Sequence, residues 1–238
     1  RLNAFMLFLC SRLAPGRAGA TLVRLLERFL FIVTASSLLA DPMLEIKDSK
    51  DAIKSNPYNF IDSNAQRMVK VLTEQSDLFE TDRTQYEQKI KDIFEPMIDF
   101  KRVAASVMGR KYYLLATKEQ REEFVEIFKD SLLDTYAETL AQWGDSKIRT
   151  EFNDGYSNSE LKNVEVKQVL DTGNSKYPIS YKLRKNDKDW KIVNIIINGV
   201  NLGLTFRNQF QALAVSQNDD IEATLSNWIS DAGDAGIS

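Results

Sequence analysis

The stretch from Tyr177 to Ile197 limits the fold more than any other part of the chain. Tyr177–Arg184 alternates, with Ile179, Tyr181 and Leu183 on one side and Lys182 and Arg184 on the other. Period-2 patterning of this kind belongs to a strand with one buried and one wet face. Asn186–Asp189 reads as a turn, and Trp190–Ile197 follows as a second strand. Strict alternation places Ile192 and Ile196 on one face of it and Val193, Ile195 and Ile197 on the other. A strand apolar on both faces is expected at the centre of its sheet. Upstream, Leu161–Leu170 alternates through Val164, Val166 and, shifted, Val169, and Asp171–Ser175 is a turn containing Gly173. Ile148–Phe152 is a further short strand, closed by Asn153-Asp154-Gly155. Strands joined by such short turns form an antiparallel meander.

Helical spacing brackets this block. From Pro57 to Phe79, Ile61, Ala65, Met68, Leu72 and Phe79 fall near one face, and Pro57 suits the first turn. Asp82–Phe94 repeats Tyr86, Ile90 and Phe94 at steps of four, after which Pro96 breaks or bends the path. Asp99 is a cap for a helix Phe100–Met108, with Gly109 as its terminator. Thr117 and Gln120 form a capping box opening the strongest helix, Lys118–Trp143, whose ladder is Phe124, Phe128, Leu132, Tyr136 and Leu140. After Gly199–Gly203, helices are expected at Thr205–Ser216 and Asp219–Ile229. Helices, then strands, then helices predict an α+β fold, an antiparallel sheet with helices packed on one face.

The chemistry open to the chain is narrow. It contains no histidine, which removes Ser-His-Asp and Cys-His machinery and imidazole metal sites. Its one cysteine, Cys10, excludes an internal disulfide framework and a cysteine-rich zinc site. The tightest carboxylate pairs, Glu122-Glu123 and Asp187 with Asp189, read as solvated charges and turn formers. No phosphate-binding glycine loop, calcium loop or HExxH motif is present. The sequence offers no reaction, and neither a catalytic residue, a metal nor a cofactor is expected. Lys101, Arg102, Arg110 and Lys111 cluster around Gly109, either as helix-end charges or as a docking patch for a partner or headgroup.

Residues 1–40 differ in composition from the rest, with five Arg against one Glu and two apolar bursts, Leu2–Cys10 and Phe29–Leu39. A basic region, a short apolar core and Ala40 before Asp41-Pro42 describe a secretory signal, although Leu38 matches poorly at the third position before the cut. The alternatives are a mis-extended start and an amphipathic helix, Leu22–Leu39. Residues 41–56 then form a polar lead, 57–230 one domain and 231–238 a tail. Without residues 1–40, 26 basic stand against 33 acidic residues, a net charge of −7. Nucleic acid is not an expected partner of so acidic a chain. An exported, water-soluble, monomeric protein is.

Two blocks carry a family resemblance. Residues 94–143 hold Asp99-Phe100, Met108-Gly109-Arg110 before an aromatic pair, Ala116-Thr117 with Glu119-Gln120, and Phe124, Phe128, Ser131-Leu132 and Thr135-Tyr136 in register. Residues 181–210 hold a Tyr-x-Leu strand, a polar turn, Trp190-Lys191, then Gly199-Val200-x-Leu202 and a helix start with Arg207, Gln209 and Phe210. Together they resemble the MlaC / toluene-tolerance family of periplasmic phospholipid carriers, over about residues 58–230. The polar end after Gln217 departs mildly from the family pattern.

The resemblance implies a nuclear-transport-factor-like cone with helical additions, an apolar pocket for lipid tails, phospholipid as cargo, and no catalysis. It also implies two partners, an outer-membrane lipoprotein–porin complex and an inner-membrane ABC transporter carrying an MCE domain. Shuttling between them would maintain outer-membrane lipid asymmetry. A diacyl phospholipid hides on the order of 30 methylenes at about 0.8 kcal/mol each, so roughly 20 kcal/mol of burial must be matched. A shallow groove falls short of that; the tails belong between sheet and helices. The pocket candidates are Phe100, Val103, Met108, Tyr113, Phe124, Phe128, Tyr181, Ile192, Leu202, Leu204, Phe206 and Phe210, each of which would serve equally as plain core. Arg110 and Arg207 are candidates for a headgroup or partner contact. The alternative is a periplasmic adaptor that binds membrane complexes, without lipid, around a solid aromatic core.

Overall fold

Five strands follow one another across a single sheet in chain order, each antiparallel to the next: β1 (Lys147–Glu151), β2 (Asn163–Asp171), β3 (Lys176–Asn186), β4 (Asp189–Ile197) and β5 (Val200–Asn201). A computed structural model describes residues 56–75, 77–141, 146–153, 161–187 and 189–230. All of these lie in one of the two units into which the chain divides, Asp51–Ser238. The expected leader, the polar lead up to residue 55 and the tail at 231–238 lie outside the described residues.

Register decides which side chains meet. Ile148 stands opposite Leu170, Val166 opposite Tyr181, and Tyr181 opposite Ile195, giving an apolar row on the helix-covered face. On the other face Glu165 sits across from Lys182 and pairs with it at 2.7 Å. Strict alternation fails in β4. Lys182 faces Asn194 while Leu183 faces Ile192, so Val193 is an extra, bulged residue. A bulge shifts the side-chain phase by one. Trp190 and Ile192 before it and Ile195 and Ile197 after it therefore share the inner face, and the expected opposition of Ile192 to Ile195 is corrected. Asn198-Gly199, both at positive φ (48° and 83°), is the two-residue turn into β5. The rest of the β4 edge is occupied by Asp99, whose N–H donates to Ile192 O at 3.0 Å.

The described helices are α1 (Pro57–Glu74), α2 (Leu78–Thr81), α3 (Arg83–Phe94), α4 (Phe100–Leu115), α5 (Lys118–Ala141), α6 (Leu202–Ser216) and α7 (Ile221–Ser226), with a 3-10 turn at Glu95–Met97. The expected caps at Asp99 and Thr117 act as such, and Asp82 is a further one. Asp82 Oδ1 accepts from Gln85 N, Asp99 Oδ1 accepts from Arg102 N, and Thr117 and Gln120 bond each other's backbone N–H.

Several boundaries move, among them those of α7, which runs Ile221–Ser226 rather than Asp219–Ile229. α1 stops at Glu74, short of Phe79, because Gln75 leaves helical geometry and the chain turns so that Phe79 packs edge-on against Tyr86 of α3. Gly109 does not end its helix; it breaks it, at φ 68° and ψ 168°, and the chain resumes as helix to Leu115. α6 starts at Leu202, three residues earlier than Thr205, because the Asn201 side chain caps Leu204 N at 3.1 Å.

Two apolar clusters result. One is aromatic and helical, with Phe124 at its centre in edge or tilted contact with Phe128, Phe210 and Trp228. The other joins α1 and α3 to the sheet through Ile61, Met68, Tyr86, Ile90, Leu183 and Trp190. Phe94, Ile98 and Ile195 pack against both.

Candidate functional site

Between the two clusters the side chains do not close. The gap is a cavity of about 150 Å³. α1 walls it with Ile61, Asn64, Ala65, Met68, Val69 and Leu72, the stripe its helical spacing aligns. The end of α3 and the turn after it add Ile93, Phe94, Met97 and Ile98, and α5 adds Leu132, Leu133 and Tyr136. The sheet closes the other side with Ile148, Leu170, Ile179, Tyr181, Ile195 and Ile197, and Leu202 stands at the start of α6. Among the described residues, only Asn64, Tyr136 and Tyr181 bring side-chain polar atoms to this wall. Burial pushes the Tyr181 phenol well above the usual tyrosine range, so it stays neutral. Part of the Tyr181 ring nevertheless remains open to a water-sized probe, because the surface it shows is cavity wall.

α1 is fastened to the sheet at one end of this cavity. The Thr150 hydroxyl donates to Asp62 Oδ1 at 2.6 Å and accepts from Gln168 Nε2 at 2.8 Å. Gln66 Nε2 donates to the Ile148 carbonyl at 3.3 Å. Gln168, almost wholly buried, has no partner for Oε1 among the described residues, and neither has the buried Tyr86 hydroxyl, which burial pushes up to about 12. Both are polar costs carried by the inner layer.

Of the pocket candidates, Tyr181 and Leu202 line the cavity. Phe100, Met108, Phe124, Phe128, Phe206 and Phe210 are buried in the aromatic cluster, and Ile192 is buried in the sheet cluster beside Leu183. Val103, Leu204 and Arg207 line a separate, more polar cleft of about 250 Å³, with Ser106, Asn194 and Asn201. There Arg207 donates to Ser106 O at 2.7 Å and to Ser106 Oγ at 2.9 Å. Tyr113 is exposed, with the Arg121 guanidinium 4.2 Å above its ring, and Arg110 is exposed on α4. The walls that the candidates omit come mainly from α1 and the inner strand face. Their signal was a stripe holding a small residue, Ala65, and a flexible one, Met68, with no aromatic ring between Ile61 and Leu72.

Chemically, such a wall solvates hydrocarbon. No carboxylate, lysine or arginine among the described residues lines it. Among the described residues, no three His, Cys, Asp or Glu side chains come together as a metal site. No helix of the described residues is long and apolar enough to cross a membrane.

The architecture and cavity define an α+β protein with helices on one sheet face and an apolar hollow beneath them. Residues 62–230 match the MlaC protein family, well over half of the chain, and the chain belongs to that family. It is 28% identical over 204 residues to the toluene tolerance protein ttg2D of Pseudomonas putida, covering 85% of this chain and 79% of the relative. It is 20% identical over 186 residues to the intermembrane phospholipid transport system binding protein MlaC of Haemophilus influenzae, covering 77% and 78%. A phospholipid-binding protein from Ralstonia solanacearum, solved in complex with a phospholipid, superposes with a TM-score of 0.62 at 22% identity. That match covers 70% of this chain and 90% of the other, and it establishes the shared fold.

Proposed function

We propose that this protein is a non-enzymatic phospholipid carrier that shields acyl chains in the cavity between α1, α3, α5 and the sheet. The apolar wall of that cavity is the observation that carries the reading. An apolar hollow of about 150 Å³ is what a carrier requires and a solid-cored adaptor does not. The names of the relatives point the same way.

The free space equals that of a cavity that takes up one benzene-sized molecule. Holding a pair of acyl chains therefore requires a wall to move outward, and in this reading that wall is α1, which side chains at Asp62 and Gln66 hold to the sheet. In this reading Tyr181 and Leu202 touch the tails, and the buried phenylalanines hold the frame that positions them. Arg110 is left for a partner surface. Residues 1–40 serve export, residues 57–230 form the lipid-binding domain, and the protein works in the periplasm. It exchanges cargo between an outer-membrane lipoprotein–porin complex and an inner-membrane ABC transporter with an MCE domain, which sustains outer-membrane lipid asymmetry.

The test is native mass spectrometry of protein purified by gentle chromatography, with extraction and weighing of any bound lipid. Phospholipid mass on the folded protein, and uptake from vesicles, is the expected result. Polypeptide mass alone together with no uptake overturns the reading in favour of the adaptor.

A further inference from the structure

The two faces of the sheet differ in charge as well as in burial. On β1, β2 and β3 the inward positions carry one charged side chain, Lys185, whose ammonium lies 5.8 Å over the Trp190 ring. The outward positions carry Lys147, Arg149, Lys167, Lys176, Lys182 and Arg184 against Glu151, Glu165 and Asp171. This face therefore stands at net +3, on a chain whose net charge is −3.

Pairing within the face does not consume the excess. Lys182 meets Glu165 at 2.7 Å and Lys176 meets Asp171 at 3.5 Å. Lys147, Arg149, Lys167 and Arg184 are exposed and make no ion pair among the described residues, and Glu151 is the one carboxylate of the face left to set against them. Strand spacing and rise place these four cations on a strip about 10 Å wide and about 27 Å long. Charges so close act together on an extended anionic surface, since salt at 0.1 M screens only beyond about 10 Å.

The uncharged outward positions say what kind of surface. They hold Asn163, Val169, Pro178, Ser180 and Asn186, with no aromatic ring among them. Tight protein interfaces centre on aromatic or arginine anchors seated in pockets, and single-stranded nucleic acid is held by stacking rings. Separated cations on long side chains, without such anchors, suit a layer of anionic lipid headgroups.

We infer that the outward face of β1, β2 and β3 docks this protein on an anionic bilayer surface. The acidic remainder of the chain orients the molecule, turning this face towards the bilayer. The contact is separate from the cavity and does not depend on what the cavity holds.

The full-length protein is mixed with vesicles of phosphatidylcholine, alone or with phosphatidylglycerol, and the vesicle-bound fraction is read by flotation. The unaltered protein should float with the phosphatidylglycerol vesicles, stay behind with the neutral ones, and detach as salt is added. Arg149→Gln with Lys167→Gln should weaken binding by roughly twentyfold, about fivefold for each cation lost. Lys147→Gln with Arg184→Gln, a second pair on the same face, should act alike. Lys70→Gln with Lys118→Gln removes the same charge from helical sites, each paired with a glutamate four residues on, and should leave binding unchanged. All six side chains are exposed, and thermal melts matching the unaltered protein exclude a folding effect. Absence of flotation, equal flotation with both vesicle types, or equal loss in the Lys70 and Lys118 variant overturns the assignment. Protein that docks in this way yet carries no lipid would remove the carrier reading alone.

Discussion

Thr150 of β1 donates its hydroxyl proton to Asp62 of α1 across 2.6 Å, joining one helix of the cavity wall to the sheet. Thr150 is itself held by Gln168, so the contact is the visible end of a buried polar chain. Thr150→Val keeps the shape but removes the donor to a carboxylate and leaves the Gln168 amide without its acceptor. The expected cost is about 1–3 kcal/mol in urea unfolding. With α1 less firmly tied, lipid should also exchange faster between vesicles. An unchanged exchange rate in a measurably destabilised variant would mean that α1 is not the wall that yields.

The aromatic cluster behaves differently. Phe124 is fully buried and touches three other rings at centroid distances between 4.8 and 5.8 Å. Phe124→Ala should cost about 3–5 kcal/mol, the usual price of removing a buried ring from a solid core. Residual folded protein should still load lipid. Loss of loading at full stability would instead place Phe124 in contact with the tails.

These two sites mark how far the sequence could be read. Alternation located β2, β3 and β4, and the caps at Asp99 and Thr117 located two helix starts, because both depend on neighbours a few residues apart. The face of Ile195 was not legible, since the bulge at Val193 depends on how β3 and β4 pair rather than on either strand alone. The hollow was less legible still. Phenylalanine density marks where apolar matter is concentrated, and here that concentration fills its space. The opening lies instead where α1 presents Ala65 and Met68 to isoleucines of the sheet, a combination indistinguishable in one sequence from ordinary packing. The family resemblance carried the fold and the cavity's existence, but not its walls.

Gly109 holds a backbone conformation, φ 68° and ψ 168°, that is essentially reserved for glycine. Three residues before this break, the Ser106 carbonyl accepts from Arg207 Nε at 2.7 Å. Gly109→Ala should cost about 1–3 kcal/mol, with the new methyl group also meeting Gln211 Nε2 at 3.2 Å. Arg207→Ala should cost about 1 kcal/mol by removing its bonds to Ser106. Chemical denaturation of both variants checks the pair. If Arg207→Ala is neutral for stability but impairs binding to a membrane complex, its role is at the surface.

Stability should be nearly flat from about pH 5 to 8, because the chain has no histidine to titrate there. The acid side is different. Lys111 and then Tyr112 hydrogen-bond Asp219 and hold its carboxyl below the ordinary range. A depressed folded-state value stabilises the fold above the unfolded value of about 4 and stops doing so as pH falls through the folded one. Asp219→Asn tolerates the left-handed backbone at this position, φ 61°, while removing the charge. The expected result is a shallower loss of stability below about pH 4, read from urea midpoints at several pH values. An unaltered acid slope would assign it to other carboxylates.

Filling the cavity should separate function from stability. Ala65 lines it from the middle of α1, flanked by Ile61 and Met68, and has open space before it. Ala65→Phe introduces a ring into that space. Cavity-filling changes commonly leave stability unchanged or raise it by about 0.5–2 kcal/mol, because new contacts form without displacing packed atoms. The same ring occupies room that acyl chains need, so uptake from vesicles should drop several-fold while the melting temperature holds or rises. This opposition of signs is specific to a cavity that exists for a ligand: a substitution that damages the fold lowers both readings together. Full uptake by a stable Ala65→Phe protein would move the tails elsewhere, and the polar cleft beside Arg207, at about 250 Å³, would be the next space to block.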